Sequence, residues 1–295
     1  MTQILSGNSN QDLAKRIAQA MGVQLSQVES TTFENGEARV VVKGQKSGGE
    51  AVLVQSLSMN VDTHIVEFCL LADAVVRTGS TSLVGVVPWL GYSKQDKVFL
   101  PGEALSAKVI AQILQTTKMQ KLITFDLHNR AILGFFDIPV VELSAQSLFL
   151  DYFRPKITAQ TVIVAPDAGA IKMGAAYAEL LQVPIIYADK RRDLETGKVE
   201  VVSLSGSVAG KHVIMIDDMI VTGSTLMETA KALREAGATR ISFAATHHLW
   251  VPGVQEKLDA SQVDEIVVTD TVAPQGKGRK LTVLSVAQLI VDELV

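Results

Sequence analysis

Val213-Ile214-Met215-Ile216-Asp217-Asp218-Met219-Ile220-Val221-Thr222-Gly223-Ser224-Thr225 is the stretch whose reading decides the fold. An apolar run ends in two carboxylates, a short Thr/Gly/Ser loop follows, and a helix-forming stretch then opens. Backbone N–H groups of such a loop, with the helix N-terminus behind it, form an anion site. The hydroxyls of Thr222, Ser224 and Thr225 add donors around Gly223. Asp217 and Asp218 repel a phosphate and suit sugar hydroxyls or a metal. Carboxylates beside a phosphate cradle therefore point to a sugar phosphate. An ordinary helix cap needs a single polar residue, not two carboxylates and three hydroxyls.

Outward from this strand–loop–helix unit the same rhythm repeats. Val- and Ile-rich runs without strict alternation predict strands over residues 51–55, 82–88, 121–125, 161–165, 184–188, 212–217, 240–246 and 265–268. Strands of that composition are covered on both faces. Amphipathic stretches over 10–21, 62–77, 103–115, 170–181 and 225–236 predict helices, and Gly237 stands where the last of them ends. Strand–helix alternation implies an α/β fold of mainly parallel sheets flanked by helices. The 295 residues suit two domains, placed here at 1–143 and 144–295, with the last helix packing back on the first domain.

Composition excludes several function classes. Hydrophobic residues make up 47% and charged residues 20%, which marks a globular chain. A net charge of −4 supplies no basic field for nucleic acid, although a local cationic cluster can still hold a small polyanion. One cysteine, Cys69, rules out an intramolecular disulfide and a cysteine-rich zinc site. Its apolar neighbours predict a buried structural role. No signal peptide opens the sequence and no apolar run is long enough to span a membrane, so a cytoplasmic setting is expected.

Four more segments carry chemistry-bearing residues at or beyond strand ends, where parallel α/β sheets place ligand sites. Gly91-Tyr92-Ser93-Lys94-Gln95-Asp96-Lys97, running on to Pro101-Gly102-Glu103, fits a mobile lid with a polyphosphate clamp; alone it reads equally as a solvated loop. Thr124-Phe125-Asp126-Leu127-His128-Asn129 and Ala165-Pro166-Asp167-Ala168-Gly169 end strands in groups able to share Mg²⁺ or simply to cap helices. Tyr187-Ala188-Asp189-Lys190-Arg191-Arg192 sets three cations beyond a strand, as a transferring phosphoryl group requires or as any basic surface turn provides.

The 213–225 segment resembles the phosphoribosyl-pyrophosphate-binding motif of the phosphoribosyltransferase fold. All five segments, in this order, resemble the ribose-phosphate pyrophosphokinases almost end to end. Ser6-Gly7-Asn8-Ser9-Asn10, Phe33-Glu34-Asn35-Gly36-Glu37, Gln55-Ser56-Leu57-Ser58, Phe135-Phe136-Asp137-Ile138-Pro139 and Thr282-Val283-Leu284-Ser285-Val286-Ala287 extend the match. The resemblance implies two phosphoribosyltransferase-like domains and transfer of the β,γ-diphosphoryl group of ATP to C1 of ribose 5-phosphate. It implies ATP contacts from Phe33, Asn35 and Glu37 across a subunit interface, and from Lys94, Gln95 and Asp96 in the lid. It implies Mg²⁺ ligation by His128 and Asp167. Asp217, Asp218, Val221, Thr222, Gly223, Ser224 and Thr225 would bind ribose 5-phosphate, with Lys190 and Arg192 catalytic. Because the ATP cleft is shared, it also implies self-association as a dimer or hexamer.

Four departures from the family pattern bear on that expectation. An acidic residue is usual at Val221, a second glycine at Ser224, and arginines at Lys94 and Lys97; a second glycine and an arginine are usual at Ala170 and Met173. Lysine keeps the charge of arginine and loses its bidentate fork, which weakens the expected grip on ATP. Transferases that consume phosphoribosyl pyrophosphate often tolerate an apolar residue at the Val221 position. The alternatives are a catalytically silent regulatory paralogue, a phosphoribosyltransferase that uses the diphosphate, and a sugar-phosphate sensor. Co-purification with a typical synthetase subunit, dependence on a nucleobase, and binding without turnover distinguish the three.

Overall fold

The computed structural model describes residues 2–43, 48–166, 169–192 and 199–295, with residues 190–192 and 199–202 described by backbone alone. The chain forms two compact units. The first comprises Met1–Ser144, Asp270–Ala273 and Ser285–Val295, and the second Ala145–Thr269 and Pro274–Leu284.

In the first unit β1 (Gln3–Ser6), α1 (Gln11–Ala20), β2 (Val28–Thr32), β3 (Ala38–Val42), β4 (Glu50–Val54) and α2 (Val61–Arg77) are followed by β5 (Ser82–Val86), α3 (Ser106–Gln115), β6 (Lys121–Phe125) and β7 (Val140–Leu143). The sheet runs β1-β4-β5-β6-β7 and every pairing is parallel. β2 and β3 form a separate antiparallel hairpin. Leu5, Leu53, Phe68, Leu71, Val75, Leu114 and Leu122 meet in one core. The apolar spacing of α2 accounts for its place in it, since Ile65, Phe68, Leu71, Ala72 and Val75 are buried along one stripe. Cys69 lies at the edge of that stripe and is half-buried rather than buried. Burial still raises its thiol pKa.

The second unit contains α4 (Gln146–Phe153), β8 (Thr161–Ala165), α5 (Ile171–Leu181), β9 (Ile185–Arg192), β10 (Val199–Leu204), β11 (His212–Ile220), α6 (Ser224–Glu235), β12 (Arg240–His248), α7 (Val254–Ala260), β13 (Glu265–Thr269) and β14 (Leu281–Leu284). Its sheet runs β10-β9-β8-β11-β12-β13-β14, with β10 antiparallel at one edge. β11 is central, and its alternation is legible in the packing. Val213 and Met215 enter one core cluster, while Ile214 and Ile216 enter another. That two-residue period between two dry faces is why the run lacks polar alternation.

Four expected strands extend beyond their predicted ends: β13 by one residue, β9 through Arg192, so that the backbone of Lys190, Arg191 and Arg192 lies in the strand and not beyond it, and β11 and β12. β11 continues through Met219 and Ile220, which pair with His247 and His248 of the lengthened β12. Asp217 and Asp218 therefore lie within the strand rather than ending it. The apolar pair that follows them, bonded to a neighbouring strand, carries the ladder past the charges.

The last helix, α8 (Ala287–Leu294), packs on α1 in the first unit. Lys121 pairs with Glu293, and Asn10 Nδ2 donates to the Asp270 carbonyl at 2.7 Å. Val286 N–H donates to Asp270 Oδ1 at 2.8 Å, and burial holds that carboxyl above its ordinary pKa.

Candidate functional site

In the second unit the loop after β11 is built as the sequence suggests a cradle would be. Gly223 adopts φ +68°, the left-handed region that glycine enters freely, and a Cβ there would lie 3.0 Å from Leu258 Cδ2. α6 starts at the next residue; its N-cap, Gly223, has no side chain to cap it, and Ser224 N–H reaches the Thr222 hydroxyl only at 3.5 Å. The first-turn N–H groups of a helix have no intrahelical partners. Thr222 and Ser224 hydroxyls stand exposed 3.0 Å apart in front of them. Thr225 is half-buried, and its carbonyl accepts the Thr229 hydroxyl at 2.7 Å. Val221 is half-buried beside them. Asp217 and Asp218 are half-buried in β11, and Asp218 N–H donates to Asp217 Oδ1 at 2.9 Å.

The wall behind this loop is dry. His248 closes β12, stacks on Trp250 with ring centroids 4.1 Å apart, and faces Gln255 Oε1 at 3.2 Å through Nε2. Trp250 N–H donates to His248 Nδ1 at 2.9 Å. Burial lowers the His248 pKa to about 4, against the opposing hydrogen bond to Gln255. The ring is therefore neutral at pH 7 and serves packing.

Three of the predicted segments lie in the first unit. The hairpin tip is a closed turn in which Phe33 N–H donates to the Glu37 carbonyl at 2.8 Å and Gly36 N–H to the Phe33 carbonyl at 2.9 Å. Asn35 Oδ1 accepts Glu37 N–H at 3.2 Å. This turn pushes Phe33 outward, where it is 52% exposed, and leaves Asn35 and Glu37 exposed beside it. An aromatic face next to amide and carboxylate groups can stack on a heterocyclic base and bond its edge.

The lid starts at a close approach. A Cβ on Gly91 would lie 2.7 Å from the Leu57 carbonyl oxygen, so only glycine fits there. Tyr92 Oη donates to Asp62 Oδ1 at 2.6 Å, a bond that raises the tyrosine pKa. Gln95 Oε1 accepts the Ser106 hydroxyl at 2.7 Å, which leaves its NH₂ for other acceptors. Lys94 and Lys97 are exposed, as are Val98, Phe99 and Leu100. Asn60, Asp62, Thr63, Tyr92 and Gln95 border a cavity of about 530 Å³ at the lid's root.

Asp96 is held differently from its neighbours. Its Oδ2 accepts Asn129 Nδ2 at 2.5 Å, which joins the lid to the loop that carries His128. Asn129 Oδ1 accepts Ala131 N–H at 3.0 Å. Glu142 grips the other flank, taking Leu127 N–H at 3.0 Å and Arg130 Nε at 2.8 Å. His128 is thus presented, exposed, by a loop held on both sides. Asn129 was assigned no role from residue type alone; an amide beside the predicted metal ligand was the signal.

Asp167 lies outside the described residues, and Lys190 and Arg192 are described as backbone of β9. Among the described residues, no group of three or more His, Cys, Asp or Glu could hold a metal. An imidazole nitrogen is a poor donor for Mg²⁺, which prefers oxygen, so such an ion at His128 would keep most of its ligands as water and substrate phosphates. Among the described residues, no helix is long and apolar enough to cross a membrane.

Residues 2–117 match the family described as the N-terminal domain of ribose phosphate pyrophosphokinase, and residues 194–294 match the phosphoribosyl synthetase-associated domain. The ribose-phosphate pyrophosphokinase of Bacillus caldolyticus is 35% identical over 97% of this chain and 91% of its own length. That of Fusobacterium nucleatum is 35% identical over 99% of this chain and 93% of its own. The crystal structure of phosphoribosylpyrophosphate synthetase from Mycobacterium smegmatis superposes with a TM-score of 0.90 at 29% identity, covering 99% of this chain and 97% of that one.

Proposed function

The chain belongs to the ribose-phosphate pyrophosphokinase family, and from that premise we propose that it transfers the β,γ-diphosphoryl group of ATP to the C1 hydroxyl of ribose 5-phosphate. The products are 5-phosphoribosyl 1-diphosphate and AMP. The observation that carries this reading is the uncapped N-terminus of α6, fronted by the exposed Thr222 and Ser224 hydroxyls and preceded by Asp217 and Asp218. The N–H groups and hydroxyls from Val221 to Thr225 take the 5-phosphate, and the carboxylates take sugar hydroxyls.

Phe33, Asn35 and Glu37 hold adenine from a neighbouring copy of the chain, and Lys94, Gln95 and Asp96 reach ATP from the lid. The exposed hairpin tip supports that assignment, because an isolated chain leaves its aromatic face uncovered. His128 and Asp167 are the residues that would hold Mg²⁺, which would supply charge neutralisation at the phosphate oxygens. Lys190 and Arg192 stabilise the charge that spreads over the transferring group. The C1 hydroxyl attacks the β-phosphorus in line, AMP leaves, and positioning with charge neutralisation supplies the catalysis.

The test is ³¹P NMR of the protein with ATP, Mg²⁺ and ribose 5-phosphate. AMP together with a sugar diphosphate signal is the expected result. ADP would mean simple phosphoryl transfer. No turnover in protein that still binds ribose 5-phosphate would favour a silent regulatory paralogue. In active protein, Lys190→Ala lowers kcat by about 10²–10³-fold, as loss of one transition-state donor does.

A further inference from the structure

Glu67 is a carboxylate inside the first unit, 3% exposed, on the same face of α2 as Phe68 and Leu71. Four donors reach it. Asn8 N–H and Gln55 Nε2 donate to Oε2 at 3.1 and 2.6 Å, and Asn8 Nδ2 and Ser30 Oγ donate to Oε1 at 2.7 and 2.9 Å. Gln55 is held in turn, its Oε1 accepting the Ser9 hydroxyl at 2.8 Å. A Cβ on Gly7 would lie 2.2 Å from that oxygen. One carboxylate therefore joins the turn after β1, the end of β4, the body of α2 and strand β2.

Of these tethers, Ser30 matters most. It lies three residues before Phe33, on the strand that leads into the exposed tip. β2 itself brings only Val28 to the core, its other residues being half-buried or exposed, while Val40 and Val42 of β3 pack there beside it. A polar tether to the 17-residue helix α2 adds a directional hold that this apolar packing lacks. We propose that Glu67 is a positioning residue for the nucleotide: through Ser30 it sets the angle at which the β2–β3 hairpin presents Phe33, Asn35 and Glu37. This rests on the assignment of that tip to adenine.

Glu67→Gln keeps the shape of the side chain and replaces one acceptor with a donor, so a neighbouring donor loses its partner. Ser30→Ala cuts the hairpin tether alone and leaves Asn8 and Gln55 bonded. The expected result is a rise in KM for ATP of about tenfold in Glu67→Gln and about threefold in Ser30→Ala, as loss of a hydrogen bond to a charged group implies. KM for ribose 5-phosphate stays unchanged in both. Ser30→Ala also keeps the wild-type melting temperature and decides the matter if Glu67→Gln does not fold. Equal rises in both KM values, or a lower melting temperature with KM for ATP unaltered, overturn the proposal and make the network purely structural. If the wild-type protein forms no AMP, diphosphoryl transfer fails as a reading. The dissociation constant of ATP, measured by calorimetry on the same variants, then tests the positioning role by the same split.

Discussion

Glu67 and Glu265 are two carboxylates withdrawn from water, one in each unit, and they are satisfied in opposite ways. Glu67 accepts four hydrogen bonds from neutral donors. Glu265, with 12% of its side chain exposed, is bonded by Lys156, by Arg240 at 3.1 Å, and by the hydroxyls of Tyr152 and Ser242 at 2.7 and 2.8 Å. Lys156 also sits 3.7 Å above the Tyr152 ring. Glu265 and Arg240 open their strands, at the end of the sheet away from the carboxyl ends where ligands bind. The cationic knot thus lies where no ligand is expected. Neutral donors hold the carboxylate that reaches toward the hairpin tip, so the tether adds no fixed cation to compete for the phosphates of ATP.

The largest effect should come from neutralising Glu265. Glu265→Gln leaves Lys156 and Arg240, 30% and 49% exposed, facing an uncharged amide; water relieves part of the loss, which falls at the low end for a broken buried pair, about 3 kcal/mol. Denaturant unfolding measures it; a loss below about 1 kcal/mol would show the knot to be an exposed ion pair in energetic terms. Acid gives the next effect. Burial raises the Glu265 pKa, but hydrogen bonds from Lys156, Tyr152 and Ser242 and the Lys156 charge outweigh it, leaving a value of about 2 against an ordinary 4.5. The folded value is the depressed one, so its stabilisation is full above pH 4.5 and disappears toward pH 2, up to about 3 kcal/mol. Glu265→Gln should flatten that part of the acid profile.

Glu67→Gln should cost less, about 1–3 kcal/mol, because one unsatisfied donor is at stake rather than two unpaired cations. A cost as large as that of Glu265→Gln would erase the distinction between the two sites. The smallest effect belongs to His248, buried with no ionic partner. Its folded pKa, about 4, lies below the ordinary 6.5, so stability falls as pH drops through that window. About 1–2 kcal/mol should be lost between pH 6.5 and 5. Melting curves of His248→Gln should show a shallower slope, the remainder belonging to His212, whose pKa burial also lowers, whereas Glu265 variants should keep the His248 contribution.

Much of this fold was legible where burial dictates sequence. The strands at 121–125 and 161–165 appear at their predicted bounds, since residues dry on both faces leave a short, mostly apolar run. β2 escaped because Val28-Glu29-Ser30-Thr31-Thr32 faces solvent on much of its length and carries no such run. β14 is four residues long and half-exposed, too short for a period to declare itself. At the candidate site, residue type and order singled out the loop at 217–225, and resemblance to the family singled out the tip at 33–37. Glu67 was not foreseen, because an acid within an apolar helix face announces a buried partner without naming it. Gln55, quoted as part of a motif, is its partner from 12 residues away, and Asn8 lies 59 residues away. Tertiary closure alone brings these groups together.

The first unit is not made of consecutive chain. It includes Asp270–Ala273 and Ser285–Val295, and takes α8 against α1, the Asp270 carbonyl against Asn10 and Glu293 against Lys121. On the ribosome, synthesis runs ahead of that closure. The first 144 residues emerge with the α1 surface and Asn10 still waiting for partners more than 100 residues behind, and the second unit has its whole sequence, through Leu284, before the α8 segment of the first is complete. The domain that begins first is therefore the one that finishes last, and a nascent chain stalled near residue 260 would hold it open to chaperones.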